Sequence, residues 1–127
     1  MSILVDAQYL LVIWILQKSG QYSHVRIALY QPDIAPNAGA IFRLAAVLGV
    51  EVDLIEPAGF VMTDRRLKRV GLDYLSKVNI TRHVSWQSYS TLRSSGGMQA
   101  GRLLLLTTSG GDRYIDFDFC ATDTLLL

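Results

Sequence analysis

The sequence predicts an α/β domain built on a mainly parallel sheet flanked by helices. Three observations carry this. Short apolar runs bounded by turn residues alternate with amphipathic stretches across residues 25–127. Arg102-Leu-Leu-Leu-Leu-Thr107 is apolar at four consecutive positions, which fits a strand covered on both faces and therefore a parallel sheet. The chain has 127 residues, half of them apolar, which is enough for one core and no more.

Each element has its own signal. Val25–Tyr30 is a short apolar run and reads as the first strand. Pro32 and Pro36 bound a loop, and a helix is expected from Asn37. Within it Ile41, Leu44, Ala45 and Leu48 recur at i, i+3, i+4 and i+7, and Gly49 stops it. Glu51–Ile55 is the second strand; Pro57 and Gly59 then break the chain. Thr63 or Asp64 caps a short basic helix ending near Gly71. Val78–Val84 holds a third, less apolar strand. Trp86–Arg93 reads as a helix closed by Gly96 and Gly97, Arg102–Thr107 as a fourth strand, and Asp123–Leu127 as the opening of a fifth. A strand–helix–strand alternation of this kind gives parallel neighbours. Residues 25–127 contain no internal repeat and no linker.

Residues 1–23 are set apart as an apolar extension. Tyr9–Leu16 is uninterrupted apolar, closed by Asp6 and Gln8 on one side and by Gln17 and Lys18 on the other. A membrane-spanning helix needs about 20 such residues. A secretory signal carries its cations before the apolar run, whereas the first cation here is Lys18. The preferred reading is a segment that packs on the domain or on a partner; an upstream extension of the reading frame and a membrane anchor are the alternatives. A cytoplasmic location follows by default. The chain also stops at Thr124-Leu-Leu-Leu127, inside what reads as a buried strand, so a C-terminal truncation is expected.

Composition excludes several classes. A net charge of +1 gives no global field toward nucleic acid or membranes, so any basic site is local. The single cysteine, Cys120, rules out an internal disulfide, and with two histidines it leaves no zinc site to build. No metal is expected.

Four places could carry chemistry. Pro36-Asn37-Ala38-Gly39 opens a helix after a strand, either as an anion-binding turn or as an ordinary turn with an Asn cap. Arg43 lies about 200° around the helix from Ile41, opposite the apolar stripe. It is either solvated or aimed at a phosphate or ribose. Arg65, Arg66, Lys68 and Arg69 form a dense basic cluster, and residues 61–83 hold six cations, with Lys77 and Arg82, against two acids. Tyr74 and His83 supply nearby rings. Phosphate neutralisation with base stacking is the usual means of RNA contact, and a solvated helix face is the alternative. Thr107-Thr108-Ser109-Gly110-Gly111 follows a strand and is either a flexible connection or a ligand loop at the edge where open α/β sheets bind ligands. Neither histidine finds a convincing partner, so a hydrolase constellation is a poor fit.

Ile27-Ala-Leu-Tyr-Gln-Pro-Asp-Ile-Ala-Pro-Asn-Ala-Gly-Ala-Ile-Phe-Arg43 resembles the first motif of the SpoU-type RNA 2′-O-methyltransferases of the SPOUT superfamily. Leu54-Ile-Glu-Pro-Ala-Gly-Phe60 and Asp64-Arg-Arg-Leu-Lys-Arg-Val-Gly-Leu-Asp-Tyr74 resemble its TrmL-type branch, the methyltransferases of the tRNA wobble nucleotide (cytidine or uridine 34). Leu105-Leu-Thr-Thr-Ser-Gly110 is similar to that branch's next stretch, and the resemblance runs from about His24 to Leu127.

The resemblance implies a parallel sheet with a C-terminal trefoil knot, a homodimer, and S-adenosyl-L-methionine as methyl donor. It implies that Arg43 engages the substrate ribose–phosphate, with Asn37 shaping the adjacent loop. It places Leu106, Thr107, Thr108 and Gly110 at the cofactor, and Arg65, Arg66, Lys68, Arg69, Tyr74 and Arg82 on the tRNA anticodon stem-loop. It also implies two further motifs after Leu127, which carry the knot and most of the cofactor pocket. The expected function is thus wobble-nucleotide 2′-O-methylation, or else a catalytically inactive fragment that keeps RNA or partner binding.

Overall fold

Short β-rich runs that cannot bury both faces alone must pair, and here they pair in one sheet. The structure, a computed structural model, describes residues 2–4, 25–32, 35–59, 77–98, 101–107, 111–113 and 117–127. Among these, the strands are β1 (Ser2–Leu4), β2 (Arg26–Tyr30), β3 (Glu51–Ile55), β4 (Ile80–His83), β5 (Leu103–Thr107), β6 (Asp112–Arg113) and β7 (Thr124–Leu126). They form a sheet in the order β4-β3-β2-β7-β5-β1-β6, and every adjacent pair is parallel. The α/β class and the parallel sheet agree with the sequence. The expected basic helix after Thr63 lies outside the described residues.

Helix α1 (Ala35–Leu48) starts two residues earlier than the periodicity suggests, with Pro36 in its first turn. Proline is tolerated there because the first turn's N–H groups have no intrahelical partner. Gly49 ends the helix at φ +69°, a left-handed conformation that glycine adopts without strain. Val50 then donates its N–H to Ala45 O, and the chain enters β3. Ala38, Ile41, Phe42 and Ala45 pack on Ile27, Leu29, Val52, Leu54, Leu104, Leu106 and Leu125, which form the main core.

The second described helix, α2 (Trp86–Ser94), covers the opposite face. Ser85 caps it, its Oγ accepting from the N–H of Ser88 at 3.1 Å. Tyr89 is wholly buried against Ala28, Ile55 and Leu126. Arg93, in the last turn, ties the helix to the sheet: Nη1 donates to Thr124 Oγ1 at 3.0 Å and Nη2 to Gly101 O at 2.8 Å. Gly101 itself runs so close to Thr122 that a Cβ would stand 2.5 Å from the Thr122 carbonyl oxygen.

Two sequence readings change. Among the described residues β5 is not covered on both faces. Leu104 and Leu106 are buried at 1% and 3% exposure, whereas Leu105 is 42% exposed on the α2 face. Four consecutive leucines satisfied the pattern, but the pleat sends alternate residues to opposite faces and one face is only partly filled. Residues 1–23 read as an extension packing on the domain or on a partner, and Ser2–Leu4 enters the sheet itself, paired with β5 and β6. Three residues carry no period of their own, so pairing with a neighbouring strand is invisible to a local pattern.

Candidate functional site

Strand order reverses between β2 and β7. From β2 the chain steps outward through β3 to β4, then crosses back to build β5 and β7 on the other side. Open parallel sheets bind ligands at such a switch, outside the carboxyl ends of the strands. Tyr30 and Leu126 end β2 and β7 there, and Leu105, at the middle of β5, pairs in register with Leu126. With Trp86 these residues line an open apolar groove of about 260 Å³. Tyr30 meets Trp86 edge-on at 5.8 Å, and Trp86 meets Tyr89 at the same separation.

Arg43 stands exposed on α1, whose first turn follows the carboxyl end of β2. Asn37 lies in that first turn rather than before it, so it is not the cap the sequence allowed. The side chain of Leu106 belongs to the α1 core, which leaves its backbone as the part that faces the strand end. Thr107 closes β5 and is half-buried. Thr108, Gly110, Arg65, Arg66, Lys68, Arg69 and Tyr74 lie outside the described residues. Arg82 sits on the edge strand β4, where its Nε donates to Glu56 Oε1 at 2.7 Å and its Nη2 to the same oxygen.

Sequence reasoning missed a buried charged cluster on the α2 face. Arg26 donates from Nε to Asp53 Oδ2 and from Nη2 to Asp53 Oδ1, both at 2.8 Å. Arg26 also pairs with Glu51. His83 Nε2 stands 2.9 Å from Asp53 Oδ1, and Tyr89 meets the His83 ring edge-on at 4.8 Å. The histidine that lacked a partner in the sequence therefore has one. The hydrogen bonds to Asp53 push the Arg26 guanidinium pKa up, against an opposing effect of burial. Burial pushes the Tyr89 phenol up. The one available signal was a charged residue within each apolar run, Arg26 at the start of β2 and Asp53 at the centre of β3. This cluster lacks a nucleophile and braces strands; it does not assemble a reaction centre.

The described residues do not by themselves make a nucleoside pocket. The groove lining is apolar apart from the Tyr30 hydroxyl, and offers little to pair with an adenine edge or an amino-acid carboxylate. Among the described residues no cluster of His, Cys, Asp and Glu could hold a metal ion, and no helix is long and apolar enough to cross a membrane.

The fold defines a parallel α/β sheet of the class that binds ligands at its carboxyl edge. The chain belongs to the SpoU rRNA Methylase family, whose model matches residues 24–127. It is 46% identical over 101 residues to a tRNA (cytidine(34)-2′-O)-methyltransferase of Beijerinckia indica, covering 80% of this chain and 61% of that protein. It is 45% identical over 101 residues to the protein of the same name from Ancylobacter novellus, covering 80% and 62%. A solved structure bearing on the 2-OH methylation of C/U34 on tRNA superposes with a TM-score of 0.71 at 34% identity, covering 80% of this chain and 64% of that one. The chain thus spans about three fifths of the length of these relatives.

Proposed function

We propose that this chain serves 2′-O-methylation of the wobble nucleotide, cytidine or uridine 34, in tRNA. The observation that carries the reading is its 46% identity with a protein named for that reaction, over a segment that includes Arg43 and the basic cluster. Arg43 engages the ribose–phosphate of the target nucleotide. A guanidinium is a poor base because its pKa exceeds about 12, so its work is to hold the phosphate and orient the 2′-hydroxyl. Asn37 shapes the first turn of α1 beside it. S-adenosyl-L-methionine supplies the methyl group when bound, and the end of β5, through the Leu106 backbone, Thr107, Thr108 and Gly110, contributes one wall of its site. Arg65, Arg66, Lys68, Arg69, Tyr74 and Arg82 contact the anticodon stem-loop. The working protein is a cytoplasmic homodimer.

A second reading, RNA binding without methyl transfer, is favoured by the open groove at the switch point, where Leu105 and Tyr30 are 42% and 46% exposed. Two measurements separate the readings. Methyl transfer to total tRNA that disappears in Arg43→Ala supports catalysis. Stem-loop binding whose salt dependence flattens in the Arg65→Ala/Arg66→Ala variant, without transfer or calorimetric cofactor binding, supports the second. Absence of both RNA binding and transfer would overturn the proposal altogether.

A further inference from the structure

We propose that Glu56 is a specificity-determining residue that occupies the guanidinium of Arg82 in the free protein and yields it to a backbone phosphate of RNA. The inference rests on the RNA-binding reading above. Both Nε and Nη2 of Arg82 converge on one oxygen, Oε1 of Glu56. Two donors on one edge of a planar guanidinium are what a phosphate oxygen also takes. The carboxylate therefore fills the place a phosphate would fill.

Contrast with the other arginine pairs shows that this one is built differently. Arg26 grips both oxygens of Asp53, which is wholly buried, and Arg102 likewise spans both oxygens of buried Asp123. In both of those pairs the carboxylate is wholly buried, although Arg102 itself is exposed. The Arg82 side chain is 59% exposed and that of Glu56 24%, and only one carboxylate oxygen is used. An exposed pair of this kind is weakly held, so a multivalent polyanion displaces it readily.

Glu56 is nonetheless held in place. Its backbone N–H donates to His83 O at 2.8 Å, which ties the residue after β3 to the residue after Arg82 on β4. The carboxylate is thus a fixed competitor, not a passing neighbour. The surrounding sequence is cationic, with six cations against two acids in residues 61–83, so an approaching phosphate meets a favourable field that Glu56 locally opposes. A weakly basic or poorly placed anion fails to exchange; a phosphate presented alongside the other cations does.

The test is a double-mutant cycle read by fluorescence anisotropy with a labelled anticodon stem-loop RNA at several salt concentrations. The proteins are the full chain, Glu56→Gln, Arg82→Ala and the double variant. Glu56→Gln is expected to tighten binding about threefold to fivefold, the scale of an exposed ion pair. Arg82→Ala is expected to weaken it and to lower the salt slope by somewhat less than about one unit. In the Arg82→Ala background, Glu56→Gln is expected to add nothing. Equal tightening with and without Arg82 would reduce Glu56 to one negative charge among many and overturn the inference, as would no effect at all. Failure of every protein, the unmodified chain included, to bind the stem-loop would instead overturn the RNA-binding reading and this inference with it. Both single variants should melt within a few degrees of the parent, because neither side chain is buried.

Discussion

Nε2 of His83 lies 2.9 Å from Oδ1 of Asp53, and the same oxygen accepts from Nη2 of Arg26 at 2.8 Å. One wholly buried carboxylate therefore holds three adjacent strands, β2, β3 and β4. An ionised carboxylate only accepts, so Nε2 donates its hydrogen to Oδ1.

Removing the carboxylate should be costly. Asp53→Ala removes the carboxylate that the half-buried Arg26 grips and leaves it only Glu51, and the expected loss is about 3 kcal/mol in urea unfolding. Replacing both residues with apolar side chains, as in Asp53→Leu/Arg26→Met, is expected to restore much of that loss. A cost below about 1 kcal/mol for Asp53→Ala would mean that water reaches the cluster.

Tyr89 gives the molecule an alkaline limit. Burial is the first cause of its raised pKa, followed by the Asp53 charge; Arg93 acts in the opposite direction. The unfolded phenol ionises near 10.0, and the folded one only at higher pH. The contribution of the protonated phenol is therefore fully present below pH 10 and is lost as pH rises toward the folded value. Tyr89→Phe should remove this part of the decline when urea midpoints are compared between about pH 9 and 11. At neutral pH it should cost less than about 1.5 kcal/mol, because the hydroxyl takes only a 3.3 Å bond from Arg93. An unchanged alkaline profile in Tyr89→Phe would sink the assignment.

The two faces of β5 should respond unequally. Leu104→Ala empties a site that is 1% exposed in the main core, and about 2–5 kcal/mol is expected to be lost. Leu105 is 42% exposed in the groove, so Leu105→Ala should cost less than about 1 kcal/mol. Leu105→Lys should also fold, and should aggregate less, because it interrupts an exposed apolar patch. Equal costs for the two alanine variants would show that the groove is filled.

Deleting the N-terminal extension tests the place of β1. Among the residues whose burial is described, the main core draws its side chains from Val25 onward, so a chain starting at Ser23 should melt cooperatively within a few degrees of the parent. It also loses the pairing of Ser2–Leu4 with Leu105–Thr107 and leaves that edge of β5 open. Faster aggregation, followed by light scattering, is the expected second effect. Loss of cooperative melting would place β1 among the elements the core requires.

The sequence by itself determined the α/β class, the strands β2, β3, β4, β5 and β7 with helices α1 and α2, and membership of a methylase family; the two-residue β6 carried no signal. Those signals are local: apolar runs, a helical period through Ile41, Leu44, Ala45 and Leu48, and motifs read in order along the chain. It also marked Arg43 as the outward cation of α1, because helical geometry alone fixes that direction. Only the tertiary structure decided what meets across strands. Arg26 finds Asp53 at a separation of 27 residues, His83 finds Asp53 at 30, and Arg82 finds Glu56 at 26. Each pairing depends on strand order and register, and a one-residue slip would send every one of these side chains to the other face. Neither order nor register is written in a local period, which is why β1 beside β5, the buried carboxylate and the restrained Arg82 became visible only once the sheet was assembled.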